Sequence, residues 1–290
     1  MKAFNIAWAY ASLPQMPPDV IDRIKRLYFE DAAQQWGYVL KGWPDGLLLP
    51  DGSKFEGLKI EVAFQAFAGK AAEAVARVPP DQIQRTTVST SQPVPFPYEA
   101  KMQVDLNDLD NLLKDRERFF DSIVHEIGHV LGIGTSWEGE GGGPVLVKVD
   151  GKARDAATAA ANDAKAKAAG PVAVKGTKVA VYTGPYACEA YGVVKGVGDS
   201  PEIPLDTEYM GSTRAFHWSE DDLQYEIMST KLDDPTAGLG MIGGSNVISA
   251  VSVGALKDLG YVVDMSAAQA LHMSAAQALH MSAAQALSSP

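Results

Sequence analysis

Cysteine is nearly missing from this chain, with one residue, Cys188, in 290. An internal disulfide is therefore excluded, and the lone thiol reads as a small buried apolar residue. Long apolar runs are missing as well. No stretch approaches the roughly 20 residues that a bilayer-spanning helix needs, so no transmembrane segment is expected. Positive charge is also in short supply: Lys and Arg number 25 against 36 Asp and Glu, a net charge of −11. Nucleic acid is not an expected partner, because binding a phosphate backbone rests on cationic side chains that displace counterions. The acidity speaks to solubility and names no partner. The first residues, MKAFNIAWAYASL, carry one Lys and an apolar run shorter than the roughly 15 residues of a secretion signal. Alternation of Phe4, Ile6 and Trp8 predicts a first β-strand there instead. The chain is read as a mature or signal-less form, which leaves its compartment open.

What is present suits a globular protein of one large domain or two small ones, with 46% hydrophobic and 21% charged residues. Pro17-Pro18-Asp19 opens a helical pattern in which Val20, Ile21, Ile24, Leu27, Tyr28, Ala32, Trp36 and Val39 recur at three- and four-residue steps. Gly42 and Pro44 stop it. Leu58, Ile60, Val62 and Phe64 alternate, as do Met102, Val104 and Leu106, so both segments are predicted as strands. Helices are predicted over 106–113, capped by Asn107 or Asp108, over 116–131, closed by Gly132, over 186–191, and over 249–259, closed by Gly260. Residues 152–169, KARDAATAAANDAKAKAA, have helical propensity but almost no large apolar side chains, and read as a surface insertion at about 150–170. At 265 and 273 stands MSAAQALH, and at 281 MSAAQAL. A period of eight matches neither 3.5 nor 3.6 residues per turn, so its Met and Leu drift around any helix. Residues 265–290 are taken as an appendage to a domain of residues 1–264.

Residues 125–129 read His-Glu-Ile-Gly-His on the helix predicted over 116–131. Positions four apart share a helical face, so the imidazoles of His125 and His129 can reach one ion, with zinc the expected metal. Glu126, one step round, points beside them toward a zinc-bound water whose pKa falls to about 7. It is the predicted general base, taking the water's proton and passing it to the leaving amine of a cleaved peptide bond. Of five histidines, His272 and His280 lie in the repeat, so two of the domain's three stand at metal-ligand spacing. The third is His217, 88 positions after His129. The position three residues after Gly132, where many zinc peptidases carry their third histidine, holds Thr135, a poor ligand. A glutamate third ligand, as in thermolysin-like peptidases, leaves Glu189 among the candidates, and a non-catalytic zinc-containing binding module is the reading outside enzymes.

HEIGHVLGIGTSW at 125–137, YTG at 182–184, FHW at 216–218, EIM at 226–228 and LKDLGYVV at 256–263 together resemble the leishmanolysin-like metzincins, their bacterial members above all. The resemblance spans roughly residues 1–264. It implies an α+β fold with zinc in a cleft: an upper subdomain at about 1–132, with a twisted mixed sheet and two helices, above a lower, mostly irregular or helical subdomain at about 133–264. It implies His217 as the third ligand and Met228 as the methionine of the turn beneath the metal, an apolar floor that does not bind it. It further implies a metalloendopeptidase acting on protein or peptide substrates, which lie along an edge strand. That edge is assigned to residues 101–106, with Met102 and Val104 as its substrate-binding positions. Family members are secreted or bound to the cell surface. Eukaryotic relatives carry many disulfides and an inhibitory propeptide cysteine, and Cys188, which follows the active-site helix, does not match the latter. Asp221, Asp222, Asp233 and Asp234 form an acidic cluster that would suit a calcium ion, although surface acidity is the favoured explanation.

Overall fold

The computed structural model describes residues 3–68, 76–86, 95–107, 109–139, 144–149, 152–153, 180–197, 199–206, 216–232 and 246–269. Its first sheet grows from the two alternating patterns. Strand β1 (Ile6–Ser12) pairs in parallel with β3 (Leu58–Gln65), and β3 pairs in parallel with β6 (Pro97–Asp105). Two short strands, β4 (Ala76–Arg77) and β5 (Ile83–Arg85), run antiparallel along the far side of β6. The sheet is therefore mixed. Period-two alternation sends Leu58, Ile60, Val62, Phe64, Ala100, Met102 and Val104 to one buried face. The opposite face is charged, with the ion pairs Lys59–Glu99 at 3.2 Å and Lys101–Glu61 at 3.7 Å.

This topology corrects the assigned edge. The strand carrying Met102 and Val104 is interior, because the chain between β3 and β6 folds back to add β4 and β5 to its open side. Both side chains are fully buried against the helix layer and unavailable to a substrate. Among the described residues the outermost strands on that side are β4 and β5, too short to register as alternation in the sequence.

The helix layer begins with α1 (Pro18–Ile24), which runs through a π-helical stretch, Lys25–Glu30, into α2 (Asp31–Val39). The wider winding lets the neighbours Tyr28 and Phe29 both face inward, where each ring meets Phe119. The rod ends at Val39, before the predicted stop at Gly42, because β2 (Leu40–Gly42) pairs with β12 (Val262–Val263). Next come α3 (Leu109–Lys114) and the long α4 (Arg116–Leu131), which packs against α2, where the Trp36 indole donates to the Val124 carbonyl at 2.9 Å. Of the two residues expected to cap α3, Asn107 donates its amide to Phe67 O at 3.1 Å, and Asp108 lies outside the described residues.

The C-terminal half departs from the mostly irregular or helical expectation. It holds a second, antiparallel sheet in the order β11 (His217–Trp218), β10 (Ile203–Asp206), β9 (Ala180–Tyr182), β7 (Val147–Val149), β8 (Lys152–Ala153). These strands are two to four residues long, below what periodicity detects. Helices α5 (Pro185–Lys195) and α6 (Ala250–Asp258) pack so closely that a Cβ on Gly254 would lie 2.7 Å from the Cα of Ala187. Asp258 fastens the pair by accepting the backbone N–H groups of Tyr186 and Ala187 at 3.0 and 3.1 Å. Cys188 is buried in α5, as its chemistry suggests.

The packed chain runs past residue 264. Asp264 caps a 3-10 turn, Met265–Ala267. Gln269 then exchanges two hydrogen bonds with Ile248, its N–H donating to Ile248 O at 3.0 Å and its Oε1 accepting from Ile248 N–H at 2.9 Å. The rest of the repeat and the alanine-rich insertion beyond Ala153 lie outside the described residues. No helix among those described is long and apolar enough to cross a membrane.

Candidate metal centre

Helix α4 sets the centre. Asp115 starts it by accepting Arg118 N–H, and Gly132 ends it in the left-handed region at φ +117°, with its N–H bonded to Gly128 O and His129 O. Phe119, Ile123, Ile127, Val130 and Leu131 anchor it in the core. His125 and His129 leave its last two turns on one side. Gly128 separates them, and a Cβ there would overlap the Sδ of Met228 and lie 3.0 Å from Cζ2 of Trp36. Met228, fully buried, thus lies directly on the helix backbone.

The third histidine arrives by a close backbone approach. Gly134, at φ +76°, touches residue 216 so tightly that a Cβ would overlap the Phe216 carbonyl. The next residue, His217, opens β11 opposite Asp206. Trp218 holds that strand down: its N–H donates to Met228 O at 3.1 Å, and its ring packs on Trp137 and Tyr182. Thr135 is spent on the backbone, its hydroxyl donating to His129 O at 2.5 Å while Arg85 donates to it at 3.0 Å. The short form of the motif therefore fails in space as well as in sequence.

The three Nε2 atoms converge. That of His217 lies 3.2 Å from His125 Nε2 and 3.1 Å from His129 Nε2. Carbonyl partners fix which nitrogen carries the proton, since Ile227 O lies 2.6 Å from His125 Nδ1 and Ile133 O lies 2.9 Å from His129 Nδ1. Both Nδ1 atoms are thus donors, and both Nε2 atoms face His217 with bare lone pairs. A proton on His217 Nε2 can satisfy only one of them, whereas a cation satisfies all three. Burial lowers the pKa of His125 to about 4 and of His129 to about 3, and that of His217 well below its usual value, so each ring is a neutral donor at pH 7. Zn–N bonds of roughly 2.0–2.1 Å at tetrahedral angles space ligand nitrogens about 3.3 Å apart, a spacing that both distances to His217 Nε2 nearly match. The residues fit a metal ion. This trio is the one ligand cluster found among the described residues, and Glu189 is not part of it.

Glu126 directly follows His125 on α4, with its carboxyl buried and accepting the backbone N–H of Val78 just beyond β4. Burial pushes its pKa up to about 8, against which the Val78 hydrogen bond and the Arg77 charge pull. Asp222 is committed elsewhere, to Tyr191, Ser219 and Lys195. Asp221 and Asp222 belong to no ligand cluster among the described residues, and Asp233 and Asp234 lie outside them.

Some contributors carry weak sequence signals. Gly128 is a glycine in the middle of a strong helix, a departure from propensity that marks a close approach. Glu226 is a carboxylate wedged among apolar residues, and its partners come from a distant helix. No family model matches the chain, and no curated protein matches it.

Proposed function

We propose that this protein is a zinc-dependent endopeptidase of the leishmanolysin-like metzincin kind. One observation carries the reading: three neutral imidazole Nε2 atoms converge, and Glu126, the residue directly after the first of these histidines on α4, carries a buried carboxyl that is not part of their cluster. Three nitrogen donors with an open fourth position are what catalytic zinc sites use, while structural sites are closed by a fourth protein ligand. His125, His129 and His217 would hold the ion, which when bound supplies the positive charge that acidifies a water and polarises a peptide carbonyl.

The chain's own residues account for the rest. Glu126 takes the proton from the attacking water and carries it to the departing amine; the Val78 hydrogen bond and the Arg77 charge favour the ionised carboxylate that the first transfer needs. The Val78 N–H holds that carboxyl in place. Strand β4, next to Val78, is the edge closest in sequence to Glu126's partner, so an extended peptide would lie along it in place of the buried β6. Met228 excludes water from beneath the histidines.

The test is zinc content together with cleavage of unfolded casein, for the native protein and Glu126→Ala side by side. Zinc is expected in both at one per chain, with proteolysis only in the native protein. Zinc in both without cleavage in either would make the chain a non-catalytic zinc module, and lack of zinc would end the reading. Zinc retained by His217→Ala would return the third ligand to a carboxylate.

A further inference from the structure

Glu226 is fully buried and takes part in none of the chemistry above. Four donors from two segments point at its carboxyl. Oε2 accepts the backbone N–H of Met228 at 2.5 Å. Oε1 accepts the backbone N–H and the hydroxyl of Ser249, at 3.2 and 2.9 Å, where Ser249 caps α6. The Ser252 hydroxyl, one turn into α6, donates to the same carboxyl. Ser252 Oγ in turn accepts the indole N–H of Trp218 at 2.9 Å.

These bonds lead to two of the three ligands. The residue between Glu226 and Met228 is Ile227, whose carbonyl fixes the His125 ring at 2.6 Å. The Glu226 bond to Met228 N–H curls that turn and aims the carbonyl, while Ile227 N–H is tied to Val247 O at 2.9 Å. Trp218 directly follows His217, and its indole is pinned through Ser252 to the same carboxyl. One acidic side chain thus connects the supports of His125 and His217 to the start of α6.

We propose that Glu226 is the positioning residue of the metal centre, orienting His125 through the Ile227 carbonyl and His217 through Ser252 and Trp218. This rests on the reading of the three histidines as metal ligands. Four convergent donors require an acceptor on both oxygens, so an amide at this position turns its NH2 group against one set of them and breaks the brace. Outer partners of this kind typically change metal affinity about 10–100-fold when removed.

The experiment uses the full chain as the native protein, Glu226→Gln and Ser252→Ala. It measures the zinc dissociation constant by competition with a chromogenic chelator, and the visible absorption of the cobalt(II)-loaded forms. The expected result is a dissociation constant raised tenfold or more in E226Q and roughly threefold in S252A, which cuts only the Trp218 branch, with altered cobalt bands in both. A brace that merely stabilises the fold would lower the melting temperature and leave affinity and spectrum unchanged, and that outcome overturns the proposal. Should E226Q not fold, S252A decides by the same two readouts. A native protein that takes up neither metal would overturn the metal-centre reading itself, whereas native uptake with unaffected variants overturns only the role of Glu226.

Discussion

At position 128 there is room for a hydrogen atom and nothing more, because Met228 and Trp36 occupy the space where a side chain would begin. Gly128→Ala improves helix propensity on an isolated peptide, yet here it must push Met228 off its seat. The expected net effect is destabilisation by about 1–3 kcal/mol with weakened zinc binding, read by chemical denaturation and chelator competition. A variant as stable as the native protein would show that Met228 moves freely. Asp121, one turn before His125, gives a pH-dependent case. Its carboxyl accepts the backbone and side-chain N–H groups of Asn246, both at 2.9 Å, but burial dominates and raises its pKa to about 6. The folded state therefore holds a proton that the unfolded chain releases at lower pH, so ionising this group costs stability as pH rises from about 4 to about 6. Asp121→Asn keeps an oxygen acceptor and cannot ionise. The stability difference between variant and native protein should shift in the variant's favour across that interval, and melting curves showing a constant difference would contradict the assignment.

Among the elements, the contact between the loop after α4 and the segment entering β11 carries the third histidine. Gly134 needs both its positive φ and its missing side chain there. Gly134→Ala should displace residue 216 and with it His217, lowering zinc occupancy far more than Gly128→Ala does; full occupancy by metal analysis would show that the approach can open. How legible each element was follows from length and locality. The pattern on α4 was readable because apolar spacing, His125–His129 spacing and the closing Gly132 all lie within one helix. The strands β1 and β3 were readable because each alternates over several residues. Strands β4 and β5 were not, since two or three residues hold no period, and missing them made β6 look like an edge. The second sheet escaped for the same reason. The π-helical stretch at Lys25–Glu30 leaves helical spacing almost intact, so the sequence reads as one rod. His217 could be placed at the site only by elimination and resemblance, because the Gly134–Phe216 approach that delivers it is a contact between segments far apart in the chain.

For the whole molecule, the three histidines that could hold a metal come from both halves: two from the helix over the first sheet, one from the edge of the second. Metal binding should therefore stabilise the fold as a unit. At free zinc a thousandfold above the dissociation constant, linkage gives about 4 kcal/mol. A chelator should lower the melting temperature by roughly 10 °C, reversibly on adding zinc back. His217→Ala should melt at the same temperature with and without chelator; a persistent chelator effect would place the ion elsewhere. The direction of α4 has its own consequence. His125 and His129 stand in the last two turns of the helix, where aligned peptide dipoles sum to roughly half a negative charge. Neutral imidazoles do nothing to offset a dication's double charge, so the backbone itself supplies counter-charge without occupying a coordination position. In the proposed enzyme the ion keeps its full electron-withdrawing strength for the bond to be cleaved, and the helix makes that strength tolerable inside an apolar interior.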